Sequence, residues 1–113
     1  MKTISSFGLV LVLAFGGLAL AHPSSGMQTL TGEVSSDNCG VRYTVGMTPR
    51  RFTRECVAAG SAYVLKVGER SYWFSNQADP RLHVHAGERV VVVGTVTGSE
   101  IAASRIDAAA PQE

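Results

Sequence analysis

The feature that most limits what this chain can fold into is its beginning. Lys2 is followed by an uncharged apolar run from Phe7 to Leu20 and by the small-residue triplet Ala19-Leu20-Ala21, the three parts of a cleavable secretory signal peptide. The positive start holds the segment on the cytoplasmic side while the apolar run enters the bilayer. The peptidase cleft then admits only small side chains at the two alanine positions. Residues 1–21 are therefore expected to be removed before His22, giving an exported protein that works outside the cytoplasm, periplasmic or secreted. The rival is an uncleaved anchor, because Thr3 to Ala21 carries no charge and approaches the ~20 residues of a spanning helix. Three glycines within the stretch and the lack of a basic stop-transfer cluster behind it argue against that anchor, so no membrane contact is expected after cleavage.

Taking 21 residues from 113 leaves 92, enough for one small domain and no second core. A chain of that size buries only a little over ~60% of its unfolded surface, so covalent support is expected. Ten Lys and Arg less Lys2 leave nine basic residues against nine acidic ones. A near-neutral protein has little electrostatic pull on nucleic acid or anionic membranes. The two cysteines, Cys39 and Cys56, are bound for an oxidising compartment, where a disulfide is the default and metal ligation or redox-active thiols are the alternatives. Their spacing is not that of a CxxC dithiol.

Along the exported part, residues 22–27 are rich in Pro, Ser and Gly and are expected to be a flexible leader. Gln28 to Ser35 alternates Leu30, Gly32 and Val34 with Thr29, Thr31 and Glu33, the pattern of a strand with one buried face. Thr48-Pro49 is a helix start and Gly60 a helix stop, which predicts a helix over Pro49 to Ala58 with Phe52 and Val57 toward the core. Ala62 to Val67 and Ser71 to Ser75 form a hairpin around Gly68-Glu69-Arg70, and Asn76 to His85 reads as a short helix or turn. Glu88 to Thr97, with Val90-Val91-Val92-Val93, is too β-branched for a comfortable helix, and Glu100 to Asp107 completes five strands. Ile101 and Ile106 have opposite parity, which predicts a bulge or an early end in the fifth strand. Residues 28–107 thus read as an all-β domain, a small five-stranded OB-fold-like barrel with one or two short helices, and 108–113 as a tail. Gly32 and Gly94 lie in matching phrases on the two strands that pair in such a barrel.

The phrases Thr31-Gly32-Glu33-Val34-Ser35-Ser36-Asp37, Cys39-Gly40, Cys56 through Leu65, and His85 through Val96 together resemble a loose group of small exported bacterial proteins of uncharacterised function with an OB-like core. The wider similarity is to exported bacterial OB-fold proteins, some linked to envelope stress tolerance. The resemblance covers nearly all of the exported part and implies the fold. Similar chains often carry a histidine shortly after the first Cys-Gly and sometimes an extra cysteine. This chain has Tyr43 near that histidine position and no third cysteine, so a metal site of that kind is not carried over.

Three sets of residues are candidates for function. His83 and His85 would put two imidazoles on one side of an extended segment, to which His22, made N-terminal by cleavage, would add a third ligand for copper or zinc. The plainer reading is surface histidines. Arg51 and Arg54, with Arg42 and Arg50, form a basic cluster on or beside the helix, although Glu55 stands four residues after Arg51 and can neutralise it. Tyr63, Tyr72, Trp73 and Phe74 lie on the hairpin where an OB barrel presents its ligand face, and strand parity sends either Trp73 or its two neighbours outward. No nucleophile elbow, carboxylate pair or phosphate loop is present. The expectation is a non-enzymatic exported module, without cofactor or nucleic-acid partner, that binds a small ligand or an envelope protein. A metal-binding periplasmic protein and a purely structural envelope component are the alternatives.

Overall fold

The alternating runs become the staves of one closed sheet. The computed structural model describes residues 25–110, and the expected signal peptide and His22 lie outside them. Five strands, β1 (Ser25–Ser36), β2 (Tyr63–Val67), β3 (Arg70–Phe74), β4 (Arg89–Thr97) and β5 (Glu100–Ala108), are joined by α1 (Pro49–Ala58) after β1 and α2 (Pro80–Val84) after β3. The barrel order is β1-β2-β3-β5-β4, with β3 and β5 parallel. This is a small all-β, OB-fold-like barrel.

β1 begins at Ser25 rather than at Gln28. Ser25, Gly26 and Met27 pair with Thr97, Val96 and Thr95, so half of the expected leader is strand. A ladder needs only backbone groups, and the long β4 offers them to a segment whose side chains carry no strand signal. β1 pairs with β4 as far as Glu33 and with β2 from Glu33 onward, Glu33 facing both Arg89 and Lys66. At Gly32, just before that exchange, an added Cβ would collide with the Lys66 carbonyl. Gly94 is the counterpart on β4, its Cβ site filled by the Ala102 carbonyl. There the register to β5 slips, from Val93 opposite Arg105 to Gly94 opposite Ala103. Ser104 is the extra residue, and the bulge turns both Ile101 and Ile106 into the core, which settles their conflicting parity.

The core joins Val34, Leu65, Tyr72, Phe74, Val90, Val92 and Ile101 with Leu82 from α2. Helix α1 starts where Thr48-Pro49 places it: the Thr48 hydroxyl caps it by accepting from the Arg51 N–H at 3.1 Å. Its buried residues are Thr53 and Cys56. Val57 packs against the core as expected, whereas Phe52 is only half-buried and lies against the Tyr43 ring, 5.0 Å between centroids. The Cys39–Cys56 disulfide, with Cα atoms 5.3 Å apart, ties α1 to the segment after β1. The side of α1 that meets the barrel carries Thr53, Cys56 and Val57, and Phe52 sits at its flank beside Tyr43.

Candidate functional site

Strand parity decides among the aromatics. Leu65 stands opposite Tyr72, and both point inward; Val64 stands opposite Trp73, one step out of phase. Tyr63 and Tyr72, expected as ligand-face candidates, are core residues at 5% and 8% exposure. Burial raises the Tyr63 phenol above its ordinary pKa, an effect that the nearby Arg54 opposes. Trp73 is 42% exposed on the outer face, while its cross-strand neighbour Val64 is fully buried.

Trp73 is held from its own backbone outward. Its N–H donates to the Ser99 carbonyl at 2.8 Å, and the Ser75 N–H donates to the Ile101 carbonyl at 2.9 Å, forming the parallel β3–β5 ladder. Gln77 clamps the loop beneath. Its Nε2 donates to the carbonyls of Tyr63 and Phe74 at 3.0 and 2.8 Å, and its Oε1 accepts from the Tyr63 N–H at 2.7 Å. Around the indole lies an open cleft of about 490 Å³ walled by Phe74, Gln77, Thr97, Ser99 and Glu100. A smaller depression of about 160 Å³ adjoins it, sharing Thr97 and Glu100 and adding Ser75, Thr95 and Ala102. Apart from Phe74, these wall residues escape sequence reasoning because they come from the loop after β3, from the facing ends of β4 and β5 and from the turn between them, and only the non-local β3–β5 pairing brings them to Trp73.

The other candidates are engaged elsewhere. His83 and His85 are not on an extended segment: His83 lies in α2 and His85 is its C-cap. Residues two apart on a helix point to nearly opposite sides. The Pro80 start and the Asp79 cap, whose side chain accepts from the Arg81 N–H, favour the helix here. His85 Nδ1 lies 2.9 Å from a Glu88 oxygen. That contact, with Arg50 on the other oxygen, holds the Glu88 carboxyl below the usual carboxylate range. Among the described residues no group of three His, Cys, Asp or Glu side chains is placed to hold a metal.

Arg51 pairs with Glu55 at 2.8 Å across one helix turn. Arg54 donates to the His83 carbonyl at 2.9 Å, tying α1 to α2. Arg81 reaches the bulge carbonyl of Ser104 at 3.1 Å while its guanidinium holds the Asp79 carboxyl low. Arg51 and Arg54 do not border the Trp73 cleft, so the structure does not join the basic and aromatic candidates into one surface. Among the described residues no helix is long and apolar enough to cross a membrane.

No protein-family model matches the chain, and no curated protein or solved structure matches it either.

Proposed function

We propose that this is an exported, non-enzymatic OB-fold module that binds a small ligand or an envelope partner on the outer face of β3, at Trp73. One observation carries the reading. A large aromatic ring is held outward by the parallel β3–β5 ladder at the edge of an open cleft, where leaving it in water costs apolar burial that inward packing would recover. The cleft wall has one carboxylate and no histidine, cysteine or lysine, so an acid–base or nucleophile–base pair lacks its second member, which favours binding over catalysis. Export is supported by the signal-like start and by the disulfide, which persists in an oxidising compartment.

Trp73 is the chain's single tryptophan, so its emission reports on this face alone. Purified protein beginning at His22 is mixed with low-mass envelope extract and, separately, with washed envelope. The expected result is a blue-shifted emission and reduced acrylamide quenching in one of the two, with Trp73→Ala protein failing to be retained on that fraction. Emission and quenching unchanged by both would overturn the reading.

A further inference from the structure

We infer that the ligand of the Trp73 cleft is an uncharged oligosaccharide, with one sugar ring stacked on the indole and its neighbours running along the groove toward Ala102. This rests on the reading of Trp73 as the binding face and names the chemistry of what binds there.

Charge removes the first alternative. The walls of these two depressions carry one charged group, Glu100; a third depression, which shares Ser75 and Ala102, adds Arg81, whose guanidinium is paired with Asp79 at 2.7 Å. A phosphate, nucleotide or acidic polymer would meet the Glu100 carboxylate with only that already neutralised guanidinium beyond it. Polarity removes the second. A wholly apolar ligand would cover the Glu100 carboxylate and the Thr97 and Ser99 hydroxyls, and these side chains have no protein partner among the described residues. Covering them unpaired is costly.

A sugar ring answers both demands. Its C–H face lies against the indole, and its rim of hydroxyls donates to Glu100 and exchanges hydrogen bonds with Thr97 and Ser99. Gln77 takes no part, since its amide is already committed to the Tyr63 and Phe74 backbone. It fixes the floor against which the ring sits.

The groove's continuation selects a chain of rings over a single one. Beyond Glu100 it is lined by Ser75, Thr95, Thr97 and Ala102, small and hydroxyl-bearing residues that leave room and offer further hydrogen bonds. A small organic cation would be drawn by the indole and Glu100. That extension supplies it with neither a second aromatic ring nor a second carboxylate.

The test is calorimetric titration of the protein from His22 onward with the tetramers of β-1,4-linked glucose and of β-1,4-linked N-acetylglucosamine, beside the corresponding single sugars. At least one tetramer should bind about tenfold or more tightly than its monomer and move the indole emission to the blue. Trp73→Ala should weaken binding about tenfold or more, with Trp73→Phe between it and the parent. Glu100→Gln should weaken it about tenfold, the loss of a charged hydrogen-bond acceptor. Absence of heat from both tetramers at about 10 mM, an affinity too weak to be specific, overturns the inference, as does tetramer binding unchanged in Trp73→Ala. Benzyltrimethylammonium separates the two levels. Saturable quenching by that cation without tetramer binding overturns the saccharide assignment and keeps the binding face. No response to any probe, with parent and Trp73→Ala protein equally retained on washed envelope, overturns both.

Discussion

The two helices meet the barrel in opposite ways. α2 is half the length of α1, yet it sends a fully buried Leu82 into the central cluster. α1 fully buries only Thr53 and Cys56, rests a half-buried Val57 on the core, and is otherwise held by links: the Cys39–Cys56 disulfide, the Arg50–Glu88 ion pair and the bond from Arg54 to the His83 carbonyl. A short helix with one well-placed leucine is integral to a small barrel, and a longer one without it has to be tethered.

That contrast is open to attack. Leu65→Ala, at a position with no exposure, should cost about 2–5 kcal/mol and unfold β strands and helices together. Denaturant titration followed by far-ultraviolet circular dichroism checks both points. Cys39→Ser should cost about 3 kcal/mol by releasing the loop it closes. Hydrogen exchange should then show α1 amides losing protection well before those of β1 and β4. Equal loss along the chain would make α1 as integral as α2.

Gln77→Leu should cost about 1–3 kcal/mol, because the Tyr63 and Phe74 backbone groups lose their partner. It should also broaden the Trp73 emission as the loop beneath it loosens. The smallest effect is the response to acid. Glu88 and Asp79 are both held below the ordinary carboxylate range, chiefly by hydrogen bonds from His85 and Arg81 respectively. A depressed folded-state pKa means stability that is present above the unfolded value and is lost as pH falls through the folded one. Melting temperature should therefore drop as pH passes down through and below the usual carboxylate range. Glu88→Gln should flatten the part of that drop that accompanies loosening of α1, and Asp79→Asn the part that belongs to α2.

Much of this architecture is legible in the amino-acid sequence because its determinants are local. Thr48-Pro49 and Gly60 mark the ends of α1, the opposed parities of Ile101 and Ile106 call for a bulge or an early end and the bulge is found at Ser104, and two cysteines in one small domain find each other. Two things are not legible. Alternation in Tyr72-Trp73-Phe74 says that neighbours face opposite ways, but the side that becomes the interior depends on Leu65 and the rest of the core. Likewise the cleft around Trp73 is assembled from Gln77, Thr97, Ser99 and Glu100 by a parallel pairing that no nearby residue announces. His83-Val84-His85 misleads for the converse reason. Three residues alone suit a strand, and the Asp79-Pro80 start just upstream makes them the end of a helix.

The exchange of partners along β1 bears on how the protein reaches this state. The ladder that closes the barrel joins Ser25–Glu33 to Arg89–Thr97, so the ends of the folded region must find each other across nearly its whole length. The entropy of closing that loop is spent before any hydrogen bond of the ladder returns it, which predicts slow, single-exponential folding in the millisecond-to-second range. Until it closes, β1 and β4 each offer a bare edge to any other strand; once it closes, neither does. Gly32 and Gly94, which let β1 approach the Lys66 carbonyl on β2 and β4 approach the Ala102 carbonyl on β5, seat both strands for that closure and so bear on how long the chain remains vulnerable to association with its own copies.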